Sequence, residues 1–342
     1  MKNQIHKKNA EIWLLLDSRD VGGIESHILQ LAQGITSFQR SVRVIFLRQY
    51  DNTHPLTHLL NEANISYRFL NGSLRDLFRY AHHHRPVVIH SHGYKAALYS
   101  RLLRLSLLTS HQKIRFINTF HAGEVSKGKL AIYDFLDRWS APLSHYNFVV
   151  SEQIKSRIPS KTTVLNNFIT TQNLAISQGS QVAFVGRLSH EKAPDRFIQL
   201  AQKHTDHQFH LYGSGPMEQE LLKPTTGNVV FHGHQNSMDR IWNNIGLLVI
   251  CSRYEGLPMT ALEAMGRGIP VISTPVGNLH KLIKHEENSW IVKPEQLSQS
   301  LIHWFSLSNQ QKEPIQQAAQ QTIRHSFSTE AIIPTILTAY QV

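Results

Sequence analysis

The chain has 342 residues, 41% of them hydrophobic, and a mean hydropathy of −0.27; that suits a soluble globular protein of two domains, each with its own core. No apolar run approaches the roughly 18 residues that a membrane-spanning helix needs, and a single cysteine, Cys251, excludes an intrachain disulfide. The formal charge of +11 is lopsided, because residues 1–170 hold 22 Lys+Arg against 11 Asp+Glu whereas residues 171–342 hold 13 against 13. Such asymmetry points to an anionic partner for the first half (nucleic acid, an acidic substrate or a membrane surface) or to surface cations that merely cluster.

From the N-terminus, Met1 to Lys8 lack the apolar length and the small-residue cleavage site of a signal peptide. Strand-like runs follow at 12–16, 42–47, 87–90, 115–118 and 147–150. Between the first two, Ile24, Ile28, Leu31 and Ile35 keep helical spacing directly after Gly22-Gly23. The tract His82-His83-His84 reads as a solvated helix end. Segment 95–113 joins six leucines to Lys95, Arg101, Arg104 and Lys113, either a basic amphipathic helix for an anionic membrane or a core helix with a basic outer face. The polar stretch 170–180 is the linker expected between two domains. Beyond it the same grammar returns, with runs at 182–185, 209–212, 229–231, 247–250 and 271–273. Strands alternating with helices imply parallel sheets covered on both faces. Cys251 ends an apolar run and reads as a buried, inert thiol.

The chemistry concentrates after the run 247–250. Glu255 and Glu263 flank seven residues that begin with Gly256-Leu257-Pro258 and enter a helix at Met259. Proline suits a helix entrance, where its missing N–H satisfies nothing anyway. The N–H groups of the first turn and the positive end of the helix dipole favour an anion such as phosphate. Glu255 is expected at the mouth of that site and Glu263 a turn inside; two solvated glutamates are the plainer account. Arg187 and Lys192 follow the first strand of the second half, where two cations suit a diphosphate. Gly213-Ser214-Gly215-Pro216 is not a dinucleotide fingerprint, and a tight turn suffices for Gly213. No Cys/His spacing or Asp-x-Asp pair is present, so no metal site is expected.

The stretch 255–283 resembles the signature region of the retaining nucleotide-sugar glycosyltransferases of family 4, which have the GT-B fold. Glu255 and Glu263 match its E-x7-E motif. Gly22-Gly23-Ile24-Glu25 is similar to the family's GG-x-E loop, His90-Ser91-His92 to its H-S-H strand end, Thr119-Phe120-His121 to its histidine loop, and 186–192 to G-R-L-x-x-E-K. The resemblance implies two Rossmann-like domains facing a central cleft: an acceptor-side domain at 1–170, a nucleotide-sugar-binding domain at 171–325, and a C-terminal helix at 326–342 returning to the first domain. It implies Glu255 on the transferred sugar, His121 near that sugar or the departing phosphate, and Glu263 on the ribose. Arg187 and Lys192 would hold the diphosphate in place of a metal ion. Gly256, Leu257, Pro258, Gly22 and Gly23 would complete the donor site, with no cofactor.

Two stretches depart from the family pattern. Gly277-Asn278-Leu279-His280-Lys281 lacks the usual second glycine and acidic residue, and 165–170 lacks N-G-x-D. Both put the identity of the sugar in question rather than activity. The resemblance implies an enzyme that moves a UDP-linked sugar to a glycan or lipid-linked acceptor of a cell-surface polysaccharide or lipopolysaccharide; the basic first half with segment 95–113 adds the expectation of a cytoplasmic protein resting on an anionic membrane. A nucleotide-sugar epimerase and a non-catalytic nucleotide or sugar binder are the alternatives. Nucleic acid is not expected as a partner, since no zinc-finger, RRM-like or basic-zipper pattern accompanies the basic half.

Overall fold

The computed structural model describes residues 10–19, 23–50, 54–108, 112–121, 129–172, 174–222, 227–235 and 237–342. Its chain divides into two units, Met1–Asn166 with Ile332–Val342, and Asn167–Ala331.

In the first unit the strands are β1 (Glu11–Leu16), β2 (Ser41–Phe46), β3 (Ser66–Phe69), β4 (Val88–His92), β5 (Arg115–Phe120), β6 (Tyr146–Val149) and β7 (Thr163–Val164). They form one sheet in the order β3-β2-β1-β4-β5-β6-β7, and every pairing is parallel. The central strands β1 and β4 are buried almost throughout, as a sheet covered on both faces requires. Trp13, Leu15, Ile45, Ile89 and Phe116 build one face of the core with Leu77, Ala96 and Leu103 of the covering helices.

The second unit repeats the plan with β8 (Gln181–Val185), β9 (Phe209–Tyr212), β10 (Val229–Gly233), β11 (Ile245–Ile250), β12 (Val271–Ser273) and β13 (Trp290–Ile291). Their order is β10-β9-β8-β11-β12-β13, again parallel. The two-residue alternation of β11 explains how an unbroken apolar run serves both faces: Leu248 and Ile250 enter one core, Leu247 and Val249 the other. Each such side chain, fully buried, contributes about 1.5–3 kcal/mol.

Segment 170–180 is not a loose linker. The backbone N–H of Ile169 donates to Phe327 O at 3.0 Å, that of Ser177 to Arg267 O at 2.9 Å, and Ser177 Oγ to Ile245 O at 2.6 Å. Leu174 packs on the apolar core there. The strap therefore belongs to the second unit, and the division falls at Asn166/Asn167.

At the C-terminus a helix spans Thr329–Tyr340. Its later part joins the first unit, where Tyr340 OH lies 2.6 Å from His90 Nδ1 and Arg115 donates to Ala339 O at 2.5 Å and Gln341 Oε1 at 2.6 Å. No helix among the described residues is long and apolar enough to cross a membrane.

Candidate functional site

In the second unit the strand order reverses between β8 and β11. Open parallel sheets bind ligands at such a point, outside the carboxyl ends of the strands. The segments leaving those ends are 186–192 and 251–258. Backbone hydrogen bonds tie them together: Arg253 N and Tyr254 N donate to Glu191 O at 2.8 and 3.3 Å. Arg253 also forks onto Asp195 at 2.9 and 2.6 Å, a bidentate geometry that fixes direction as well as distance. Glu191 thus acts through its backbone as a tie between the two loops.

The tie brings two of the expected site residues into contact. Lys192 Nζ donates to Glu255 Oε1 at 2.6 Å, and Ser252 Oγ donates to the same oxygen at 2.8 Å. Glu255 is 8% exposed and Lys192 31%, so the carboxylate is held while the ammonium still meets solvent. Arg187 is exposed. The glycine turn serves this loop from behind. A Cβ on Gly213 (φ +138°) would stand 1.9 Å from Gly186 O, and one on Gly215 would stand 2.5 Å from Leu188 O. Both glycines allow backbone to pack on backbone, so the turn holds 186–188 in place.

Helix Met259–Gly266 begins at Pro258, whose extended backbone (φ −69°, ψ 131°) caps it without any side-chain hydrogen bond. Ala261 N turns back to Pro258 O at 3.1 Å, and the N–H groups before it, which no side chain caps, are placed to meet an anion. Leu257 is buried in the core, and its carbonyl accepts from Asn167 Nδ2 at 2.8 Å. Gly256 is exposed, with open space where a Cβ would be. Its carbonyl accepts from Asn278 N at 2.7 Å. Gly277, in the left-handed region at φ +54°, brings its Cα to Glu255 and Gly256 so closely that a Cβ would stand 2.1 Å from Gly256 O. Both departures from the family pattern, at 165–170 and at 277–281, thus touch the loop that carries Glu255. Glu263 Oε2 accepts from Trp242 Nε1 at 3.1 Å; burial pushes its carboxyl up, against the pull of Arg267 and of the Trp242 hydrogen bond.

In the first unit a cavity of about 240 Å³ lies at the carboxyl edge of the sheet, lined by Asp17, Lys95, Thr119, His121, Arg138 and Arg157 among others. Lys95 Nζ donates to Asp17 Oδ2 at 2.9 Å, and Tyr50 OH to Asp17 Oδ1 at 3.1 Å. His121, half-buried just beyond β5, meets His92 ring to ring, Nε2 to Nδ1 at 3.0 Å. Gly23 opens helix Gly23–Ser37 with open space at its Cα; Gly22 lies outside the described residues.

Three findings differ from the sequence reading or escape it. Arg101, placed there on a basic face of 95–113, is 2% exposed and pairs with Asp137 Oδ1 at 2.6 Å. The inward face of helix Tyr94–Ser106 consists of Ala96, Ala97, Ser100, Arg101 and Leu103, so it is Leu102, Leu105 and then Leu108 that face solvent. The next helix, Lys129–Trp139, exposes Ile132, Phe135, Leu136 and Trp139, a stripe at helical spacing unnoticed in sequence. Finally, no metal-ligand spacing was found, yet His27, His92 and His121 each bring a ring nitrogen within 4.8 Å of the others. Cys251 is buried as expected, its thiol pushed up to about 12 by burial.

Residues 21–172 match the family model described as Glycosyltransferase Family 4, and residues 167–321 that of Glycosyl transferases group 1. Over 106 residues the chain is 33% identical to the O-antigen biosynthesis glycosyltransferase WbnH of Escherichia coli, covering 30% of this chain and 31% of that one. A 26% identity over 152 residues links it to the lipopolysaccharide 1,6-galactosyltransferase of Salmonella typhimurium, covering 38% of this chain and 42% of that one. The matches thus span about a third to two fifths of these curated relatives' length. Among solved structures, Alr3699/HepE of Anabaena in complex with UDP superposes with a TM-score of 0.79 at 16% identity, over 97% of this chain and 99% of that one. At that identity the likeness speaks for the GT-B fold alone.

Proposed function

Because the chain belongs to the group 1 glycosyltransferases of GT-B fold, we propose that it moves a glycosyl group from a UDP-linked sugar to a hydroxyl of a glycan or lipid-linked acceptor, with retention of anomeric configuration, in cell-surface polysaccharide or lipopolysaccharide synthesis. The observation that carries this reading is the Lys192–Glu255 contact at the switch point of the second sheet. A diphosphate arriving there meets Lys192, the exposed Arg187 and the uncapped N-terminus of helix Met259–Gly266. Lys192 then exchanges a carboxylate oxygen for a phosphate oxygen, and Glu255, still held by Ser252, turns its acceptor capacity to the sugar hydroxyls. Fixed cations aimed where charge develops on the departing nucleotide favour the transition state over the ground state, and no step in this reading needs a metal ion. Glu263 is assigned to the ribose, His121 to orienting the sugar or the departing phosphate, and the cavity of the first unit to the acceptor.

A thermal-shift panel of nucleotide sugars tests the donor: a ligand at about 100 times its dissociation constant adds roughly 2.7 kcal/mol of stability. Incubation of the stabilising donor with and without acceptor, followed by NMR of the anomeric proton, tests transfer and retention. Donor isomerised without acceptor points to an epimerase, and an inverted product rejects retention.

The first unit is further assigned to an anionic membrane surface. Two neighbouring helices expose Leu102 and Leu105, and Ile132, Phe135, Leu136 and Trp139, in the half that carries the whole charge excess. Apolar insertion combined with basic attraction supports reversible binding. Flotation with phosphatidylglycerol vesicles should show binding that weakens with salt and that Phe135→Glu with Trp139→Glu abolishes. Vesicles ignored at low salt refute this assignment.

A further inference from the structure

His27, His92 and His121 come from separate segments. His27 lies on helix Gly23–Ser37, His92 ends β4, and His121 follows β5. Parallel pairing sets His92 beside Leu16 on one side and Thr119 on the other, which places all three rings at one edge of the sheet. Ring centroids lie 5.6 Å apart for His27–His92, 5.1 Å for His27–His121 and 5.3 Å for His92–His121.

We propose that these three histidines form a binding site for a zinc-class divalent cation, whose occupation withdraws His121 from the glycosyl-transfer reaction. One ring nitrogen from each lies within 4.8 Å of the other two. Tetrahedral zinc, with Zn–N of about 2.0–2.1 Å, needs ligand nitrogens about 3.4 Å apart. The His92 Nδ1–His121 Nε2 separation of 3.0 Å is close to that already. The neighbouring His90 is excluded as a ligand, because Tyr340 OH and Thr119 Oγ1 occupy its two nitrogens at 2.6 and 2.7 Å.

Three protein nitrogens leave the fourth position of a tetrahedral ion open. His121 also lines the 240 Å³ cavity, which gives both an entry path and room for a water or an exogenous ligand. Among divalent metals, imidazole ligands favour zinc, cobalt, nickel and copper over magnesium and calcium. An ion here does not replace Arg187 and Lys192, which lie in the other unit.

The test uses the whole chain without a histidine tag. Since His82 and His83 form an exposed tract that gathers metal adventitiously, His82→Gln with His83→Gln is the background. Cobalt titration of this protein, read by visible absorption, should show the ligand-field bands of one four-coordinate ion. His27→Gln and, separately, His92→Gln should weaken binding at least about 100-fold, with near-ultraviolet dichroism confirming that each variant is folded. In parallel, Zn²⁺ should inhibit transfer by the background protein, EDTA should reverse this, and His27→Gln should raise the inhibitory concentration at least tenfold. Because the background protein keeps all three ligands, the absence of ligand-field bands overturns the proposal even if the other variants fail to fold. Binding unchanged by His27→Gln overturns it as well, and binding without inhibition removes the link to His121.

Discussion

Replacing Arg101 should unfold much of what the first unit has to spare. Its guanidinium donates to Asp137 Oδ1 at 2.6 Å, Asp137 O at 2.7 Å, Ser140 Oγ at 2.8 Å and Ser144 Oγ at 3.1 Å, at 2% exposure. Arg101→Met keeps the apolar stem but leaves Asp137 buried without its counter-charge, a loss of about 3–5 kcal/mol from a domain stability of about 5–15 kcal/mol. The pH dependence gives a second handle. Burial raises the Asp137 carboxyl from 3.8 to about 6, while the charge and hydrogen bond of Arg101 pull it down. A raised carboxyl holds its proton more tightly folded than unfolded. It therefore contributes stability that is fully present below pH 3.8 and is lost as pH rises through about 6. Without Arg101 the carboxyl moves higher still. Urea unfolding should accordingly show a variant weaker at pH 7, with a deficit that narrows at pH 5. Arg101→Met with Asp137→Leu should recover most of the loss, since a packed apolar pair often equals a buried ion pair. A single-variant deficit below about 1 kcal/mol at pH 7, or a double variant no better than the single, refutes the reasoning, because breaking a buried pair is expected to exceed it.

Arg187→Ala and Lys192→Ala should each lower kcat about 10²–10³-fold, the usual effect of removing one group that meets developing charge. EDTA should leave the wild-type rate unchanged, and rescue by Mg²⁺ after chelation would reject the assignment of the diphosphate to these cations. Calorimetry with UDP should find Glu263→Ala weakened more than Glu255→Ala, whereas turnover should fall further in Glu255→Ala; equal losses of UDP affinity mean the two roles are misassigned. Gly277→Ala forces a Cβ to within 2.1 Å of Gly256 O at a φ of +54°, so the loop must shift; transfer should drop at least tenfold and the melting temperature should fall, a result that unchanged kinetics and stability would contradict.

The interior strands were legible because strands buried on both faces read as continuous apolar runs. The missed strands are short or lie at an edge: Ser66–Phe69 alternates exposed and half-covered residues, and Thr163–Val164 and Trp290–Ile291 have two residues each. The residues proposed for the donor site were legible as a group because they lie close in sequence: Arg187 with Lys192 in one loop, Glu255 with Glu263 about one helix entrance. What sequence conceals is partnership at long range. Arg101 reads as surface charge until Asp137 arrives from 36 positions away. The histidines show no ligand spacing because three segments supply them. Periodicity did assign a helix to 95–113, but its inward face is built of small residues around a buried arginine, so leucine content misjudged which side faces water.

The helix Thr329–Tyr340 is shared: Thr329 to Ala331 count with the second unit, and Ile332–Val342 with the first. Its Tyr340 hydroxyl meets His90 on β4, two residues before His92 of the histidine cluster. Inheritance of the two units is therefore not modular along the chain. A chimera that borrows residues 1–166 from a relative, to exchange the proposed acceptor site, also needs the relative's counterpart of Ile332–Val342. If it keeps the old tail, His90 faces a stranger's helix, and what looks like altered specificity is a mispacked sheet. Recombination within such a family should favour crossovers in pairs, one near position 166 and one near 331, over any single cut.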